Sequence, residues 1–94
     1  MDWQVYIITC SDGSLYTGIT TDIQRRLNEH GNGSGAKYFR GRSPVKVVYL
    51  EGDHDRSSAS RREYEIKCLN RQQKDVLVAS TANQVHIYQP QTAT

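Results

Sequence analysis

The chain has 94 residues, of which 36% are hydrophobic and 23% are charged, and its formal net charge is +2. This length fits one domain, and the sequence contains no run of about 18 apolar residues, which argues against a membrane-spanning helix. Two cysteines, Cys10 and Cys68, are too few for a disulfide framework and too far apart for a Cys-x-x-Cys metal or redox motif. Because the N-terminus also lacks a signal-peptide pattern, we expect a cytoplasmic protein with no membrane association.

A β-hairpin is predicted at the start of the chain. Residues 3–10 and 15–20 are rich in β-branched and aromatic types, and the SDGS sequence between them is a tight-turn signal. Because side chains alternate between the two faces of a strand, Tyr16 and Gly18 share one face of the second strand. Tyr6 lies in the first strand, so the hairpin carries a tyrosine on each of its strands.

A short helix is predicted directly after the hairpin. Thr21-Asp22 offers an N-cap, and Gly31 offers a C-terminal stop. Arg26 and His30 are four residues apart, so they are neighbours on the helix surface. Arg26 follows the apolar Ile23 by three residues, which puts this pair at the margin of the helix face that docks on the sheet.

The glycine-rich segment 31–43 lies within a local excess of positive charge. Between residues 25 and 46, six basic residues stand against one acidic residue, Glu29. Glycines interleaved with aromatic and basic side chains are typical of surfaces that contact nucleic acid. The candidates for this contact are Lys37, Tyr38, Arg40 and Arg42. A solvated basic loop without a partner is the alternative.

A third strand is predicted from Pro44 to Glu51, with Val45, Val47 and Tyr49 on one face, and a polar turn at 52–56 follows it.

A second helix is predicted to begin at Ser57-Ser58 and to run to about residue 70. Its inward stripe places Glu63 among small and apolar neighbours such as Ala59 and Ile66. A carboxylate at such a position must be paired, protonated or bound to a cation.

The remaining residues predict a short helix over 72–79, with Val76 and Leu77 turned inward, and a short strand at 85–88. We therefore expect a single domain over residues 1–80, followed by a partly disordered extension over 81–94.

In their order and spacing, these residues resemble the GIY-YIG endonucleases, and in particular the small single-domain bacterial proteins of the YhbQ-like group. Gln4-Val5-Tyr6 stands where the family has Gly-Ile-Tyr, and Tyr16-Thr17-Gly18 stands where it has Tyr-Ile-Gly. Arg26 and His30 match the family's arginine and histidine. The stretch RREYEIKCL resembles the helix that carries the family's metal-binding glutamate, which maps onto Glu63.

The resemblance implies an α+β fold with a central three-stranded antiparallel sheet flanked by helices, in the order β-β-α-β-α-α. It also implies a metal-dependent DNA endonuclease that hydrolyses phosphodiester bonds with a single Mg²⁺ or Mn²⁺ ion bound at Glu63. The implied substrate is DNA, including single-stranded, nicked or branched forms, in repair, recombination or processing, and a protein partner for targeting is left open. The alternative is a non-catalytic nucleic-acid-binding or scaffold module that retains the fold.

The resemblance further implies catalytic roles for Tyr6, Tyr16, Arg26 and His30. An arginine and a metal ion stabilise the negative charge that gathers on phosphorus in the transition state. A tyrosine hydroxyl is a poor base at neutral pH unless a cation lies beside it, so we expect Tyr16 to act as the base and Tyr6 to position it or the water. His30 relays a proton or contacts phosphate, and Gly18 lets the backbone approach the substrate closely.

Overall fold

The computed structural model describes residues 2–31 and 41–88 of the chain. Three antiparallel strands form one sheet in the order β2-β1-β3, namely β1 (Trp3–Cys10), β2 (Leu15–Thr20) and β3 (Pro44–His54). The helices of the described ranges are α1 (Ile23–Gly31), α2 (Arg56–Lys67), α3 (Arg71–Val78) and α4 (Val85–Tyr88). The predicted α+β class and three-stranded sheet are confirmed. The short strand predicted at 85–88 is wrong, because this segment forms α4.

The β1–β2 hairpin is closed by the predicted turn. Gly13 has a φ of +86°, a conformation that side chains with a Cβ rarely adopt, and its N–H donates to the Cys10 carbonyl at 2.9 Å. From α3, the Arg71 guanidinium donates to the Gly13 carbonyl at 2.8 Å. The turn is therefore held both by its own backbone and by a helix that lies far along the chain.

The two faces of the sheet bury two separate clusters. The cluster on the face covered by α1, called the α1 face below, consists of Tyr6, Ile8, Cys10, Val47 and Leu50, with Ile23 and Leu27 of α1 packed against it. The cluster on the face covered by α2, called the α2 face below, consists of Val5, Ile7, Tyr49, Ala59 and Ile66. Alternation along β1 therefore sends its side chains into two different environments.

The third strand differs from the prediction in length and in the direction of its side chains. It continues to His54, so part of the expected polar turn belongs to the strand. The register shifts between Ile7↔Tyr49 and Ile8↔Val47, which is a β-bulge at this point of the strand. Because the extra residue reverses the alternation, Val47 and Tyr49 face opposite sides of the sheet, and the prediction that they share a face is wrong.

Aspartate side chains cap the first turns of α1 and α2 by accepting hydrogen bonds from backbone N–H groups. The Arg25 N–H donates to Asp22 Oδ1 at 3.1 Å, which supports the predicted start of α1. The cap of α2 is Asp55, whose Oδ1 accepts from the Ser58 N–H at 2.7 Å, and not Ser57-Ser58 as predicted. The longer β3 brings the chain to Asp55 directly, and an aspartate is among the strongest N-caps.

The segment before α4 covers part of the outer edge of β3. The Asn83 amide donates to the Val48 carbonyl at 2.8 Å, and the Gln84 N–H donates to the Leu50 carbonyl at 2.7 Å. In α3, Val76 is exposed whereas Leu77 and Val78 pack against the α2-face cluster, so the predicted inward position of Val76 is wrong. In the described ranges no helix has the length and apolar character needed to cross a membrane.

Candidate active site

The two strand tyrosines meet at the edge strand β2. Tyr6 pairs with Gly18 across the β1–β2 ladder. A Cβ added to Gly18 would lie 2.5 Å from the Tyr6 hydroxyl oxygen and 3.2 Å from Cε2 of Tyr16. On this face the glycine therefore makes room for the Tyr6 phenol, which reaches across β2 at the edge of the sheet. Its expected role in substrate approach stays a prediction.

Three rings form one compact cluster on the α1 face. The Tyr6 hydroxyl and Nε2 of His30 are joined by a hydrogen bond of 3.0 Å. The Tyr16 ring meets His30 edge-on at a centroid distance of 5.2 Å and lies 6.2 Å from the Tyr6 ring. Tyr6 and His30 are 0% and 2% exposed, whereas Tyr16 is only half-buried. Tyr16 is thus the ring of this cluster that extends toward the surface.

The environment keeps the buried pair neutral at physiological pH. Burial raises the pKa of Tyr6 far above its ordinary value, and the neighbouring Arg26 opposes this only in part. Burial also lowers the pKa of His30 to about 4, and the positive charge of Arg26 acts in the same direction. Tyr6 therefore keeps its proton and His30 stays uncharged, so their contact is a hydrogen bond between neutral groups.

Arg26 stands between the ring cluster and the surface of α1. Its guanidinium lies beside Tyr6 and donates to Glu29 Oε1 at 2.9 Å. Glu29 also forms an ion pair with Arg25 at 3.6 Å. Sequence reasoning did not single out Glu29, although its i, i+3 and i, i+4 spacing to these arginines was the available signal. The contact restrains the Arg26 side chain close to the tyrosines.

Glu63 reaches this region from the other side of the sheet. Its side chain is 23% exposed, its Oε2 lies 3.1 Å from Nζ of Lys67, and its negative charge is near enough to contribute to the raised pKa of Tyr6. Among the described residues, no group of three His, Cys, Asp or Glu side chains could hold a metal ion. A single carboxylate nevertheless fits Mg²⁺ or Mn²⁺, since such ions keep several waters and take further oxygen ligands from phosphate.

The candidates for nucleic-acid contact are described only in part. Lys37, Tyr38 and Arg40 lie outside the described residues. Arg42 forms an ion pair with Asp12 at 3.2 Å and approaches the Ser14 hydroxyl at 3.5 Å, so it is attached to the β1–β2 turn. The structure thus brings together Tyr6, Tyr16, Gly18, Arg26 and His30, with Glu63 nearby and Arg42 at the hairpin turn.

Comparison with known proteins identifies the family to which the chain belongs. The family described as "GIY-YIG catalytic domain" matches residues 2–75. A UPF0213 protein of Halobacterium salinarum is 58% identical over 73 residues, covering 78% of this chain and 95% of that protein. The solution structure of a UPF0213 protein from Bacillus halodurans is 41% identical and covers both chains fully, with a TM-score of 0.57. The solution structure of a protein from E. faecalis is 34% identical, with a TM-score of 0.56, and the match covers 97% of this chain and 93% of that one. The chain therefore belongs to the GIY-YIG family of nuclease domains.

Proposed function

We propose that this protein is a metal-dependent endonuclease that hydrolyses phosphodiester bonds in DNA. The observation that carries the proposal is the cluster of Tyr6, Tyr16 and His30 beside Arg26 at the edge of the sheet. Residues 1–80 act as the catalytic domain and residues 81–94 as its extension. The proposed setting is DNA repair, recombination or processing in the cytoplasm, with or without a targeting partner.

Tyr16 is the proposed base. It is half-buried, so its hydroxyl has access to the surface, whereas Tyr6 is fully buried and holds its proton. Gly18 leaves room for the Tyr6 phenol, and the buried Tyr6–His30 hydrogen bond fixes the two rings against which Tyr16 packs. A base held by rigid neighbours keeps its position relative to the attacking water, which is what efficient proton transfer requires.

The reaction is an attack of water on phosphorus. Tyr16, as its phenolate, accepts one proton of the water while the new P–O bond forms. The bond between phosphorus and the leaving oxygen breaks, and the departing oxygen takes a proton from solvent water. Arg26 donates to a non-bridging oxygen of the phosphate and stabilises the charge that develops there. Its ion pair with Glu29 restricts its orientation before the substrate arrives.

Glu63 is the proposed ligand for one divalent ion. A bound Mg²⁺ or Mn²⁺ supplies Lewis-acid stabilisation of the phosphate and the leaving oxygen. Glu63 contributes one carboxylate, which is near enough to Tyr6 to influence its pKa and forms an ion pair with Lys67 at 3.1 Å.

The test is a cleavage panel with single-stranded, duplex, nicked and branched DNA in Mg²⁺, in Mn²⁺ and with chelator. We expect Tyr16→Phe and Glu63→Gln to lower the cleavage rate by about 100-fold or more, because each removes a group needed in the transition state. Tyr64→Phe and Glu65→Gln are matched controls on exposed positions of α2 and should cleave within about 2-fold of the parent rate.

Two outcomes would contradict the proposal. Cleavage by folded Tyr16→Phe and Glu63→Gln proteins at the parent rate would remove these residues from the chemistry. Binding of DNA by the parent without cleavage of any substrate in either metal would favour a non-catalytic binding module instead.

A further inference from the structure

A cleft lies directly beside the proposed catalytic cluster, along the edge of β2. It has a volume of about 190 Å³ and is lined by Trp3, Ile19, Thr20, Thr21, Arg25, Arg26 and Glu29. Arg26 belongs both to this cleft and to the surroundings of Tyr6. A second cleft, of about 370 Å³, opens beside β3 among four valines, Lys46 and His86, and none of the proposed catalytic residues lines it. Of these two clefts, the cleft at β2 is therefore the one that adjoins the proposed reaction site.

The walls of the cleft combine an aromatic ring with two arginines and one glutamate, so the charged side chains of the lining sum to +1. Trp3 and Ile19 are half-buried and pack against the α2-face cluster, so they present a firm apolar surface. Arg25 is 56% exposed at the rim and carries its charge on the solvent side. An apolar floor with a cation at its margin suits a group that is flat and apolar at one end and anionic at the other, as a nucleotide is.

The Trp3 ring is held in place before any ligand arrives. The Arg56 guanidinium lies over the ring, with its central carbon 5.6 Å from the ring centroid. Trp3 also begins β1 and pairs with His54 of β3, which fixes its backbone. A ring that is already ordered loses little side-chain entropy on binding, so contact with it contributes more fully to affinity.

We infer that this cleft is a subsite for one nucleobase of the substrate strand, adjacent to the phosphate that Arg26 contacts. The inference rests on the proposed function, since it takes Arg26 as the phosphate contact. The base packs against Trp3 and Ile19, and Arg25 contacts the next phosphate outward. The volume is below the roughly 300–1,000 Å³ of clefts for drug-sized ligands, so it suits one ring system and not a base pair. The base must therefore leave its stack to enter.

Trp3 is the single tryptophan of the chain, so its fluorescence reports on this cleft alone. The experiment titrates the parent protein, in chelator so that no cleavage occurs, with a short single-stranded oligonucleotide. An abasic oligomer of the same length and charge is the matched ligand. We expect saturable quenching of Trp3 by the oligonucleotide, little quenching by the abasic oligomer, and roughly 5- to 150-fold weaker binding of the latter, the range given by one base–aromatic stack.

Variants measured by anisotropy of a labelled oligonucleotide complete the test. Trp3→Leu should weaken binding, and Trp3→Phe should restore part of it because an aromatic ring returns to the cleft. Arg25→Ala should weaken binding by about 3- to 10-fold, whereas Arg61→Ala, which removes an exposed helical arginine from α2, should have a smaller effect. Circular dichroism of each variant confirms that it is folded.

The outcomes separate this inference from the proposed function. Metal-dependent cleavage by a protein whose Trp3 emission does not respond to bound oligonucleotide would overturn the subsite and leave the endonuclease standing. Equal affinity for the normal and abasic oligomers would also overturn it. If the normal oligonucleotide quenches Trp3 and the abasic oligomer does not, while the protein cleaves no DNA, the subsite would be supported and the endonuclease contradicted.

Discussion

The two faces of the sheet use burial in different ways. On the α2 face, four of the five buried residues (Val5, Ile7, Ala59 and Ile66) are wholly apolar, and the fifth is Tyr49. On the α1 face, a phenol and an imidazole are buried beside the apolar side chains and hydrogen-bond to each other. Burying polar groups costs free energy unless they are paired, so the hydrogen bond between Tyr6 and His30 offsets the cost of burying two polar rings and holds them in one arrangement.

The α2 face keeps its charged groups at the margin instead. Nε of Arg62 from α2 lies 2.9 Å from Glu51 Oε1 on β3, and its Nη1 lies 3.1 Å from Glu65 Oε1. The contact with Glu51 joins the helix to the strand, whereas the contact with Glu65 lies within α2. The comparison shows that apolar packing dominates the α2 face, while the proposed ring cluster lies on the α1 face. Substitutions on the two faces should therefore affect stability and cleavage to different degrees.

The largest expected effect comes from Gly18→Ala. The added methyl group meets the Tyr6 hydroxyl and Cζ, at 2.5 Å and 2.7 Å in the present arrangement, and the buried phenol has little room to move. We expect a loss of about 1–3 kcal/mol in the free energy of unfolding, as is usual for overpacking. Displacing Tyr6 and Tyr16 should also lower the cleavage rate by about 100-fold. A urea titration would measure the loss of stability, and a nuclease assay would measure the loss of cleavage.

Gly31→Ala is the matched control for this prediction. Among the residues that the structure describes, none comes within 4 Å of a Cβ added at Gly31, which ends α1. The same substitution there should leave the unfolding free energy and the cleavage rate nearly unchanged. If both alanine variants behaved alike, the tight contact between Gly18 and the ring cluster would not be what holds the site together.

The second effect is a dependence of stability on pH that arises from His30. In the folded chain its pKa is about 4, below the ordinary value of 6.5. Between these values the unfolded chain binds a proton that the folded chain does not, so stability present above pH 6.5 is lost as the pH falls toward 4. The loss amounts to about 3 kcal/mol, and we expect it in the parent but not in His30→Gln.

Urea titrations at several pH values between 7 and 4 would measure this difference. His86→Gln provides the control, because His86 is exposed on α4. The parent and His86→Gln should share one pH profile, and His30→Gln should have a flatter one. A parent profile as flat as that of His30→Gln would mean that the imidazole takes up its proton inside the folded protein, contrary to a neutral Tyr6–His30 pair.

Much of the sheet could be predicted because local patterns determine it. The turn at Gly13 and the cap at Asp22 are readable from residue types, whereas the grouping of Tyr6, Tyr16 and His30 came from the resemblance to the GIY-YIG family. The side-chain directions in β3 were not readable. A bulge forms from the match between two strands that are distant in sequence, and no local pattern around Val48 signals it.

The cleft at β2 was missed for a related reason. Trp3 and Arg25 belong to different elements and come together only when α1 packs beside the edge of the hairpin. In the sequence, Trp3 is indistinguishable from an ordinary strand residue, and Arg25 from a solvated helix residue. Sites built from such pairs depend on tertiary packing, which spacing along the chain does not report.

The smallest expected effect concerns the ion pair between Glu63 and Lys67 on α2. Lys67 is 52% exposed and its Nζ lies 3.1 Å from the Glu63 carboxylate, so the pair contributes at most about 1 kcal/mol. If Glu63 binds the metal ion, Lys67 competes with that ion for the same oxygen. Lys67→Ala should then lower the Mg²⁺ concentration for half-maximal cleavage by up to about 5-fold, with little change in the rate at saturating Mg²⁺.

Lys74→Ala, which removes the same charge from α3, separates this competition from a general change in net charge. It should leave the Mg²⁺ requirement within about 2-fold of the parent value, and the difference between the two variants should shrink at high salt because exposed charges are screened. An unchanged Mg²⁺ requirement in Lys67→Ala would indicate that the ion does not bind at Glu63. Since the substitution leaves both tyrosines, Arg26 and the whole α1 face intact, such a result would relocate the metal site without disturbing the roles proposed for the ring cluster.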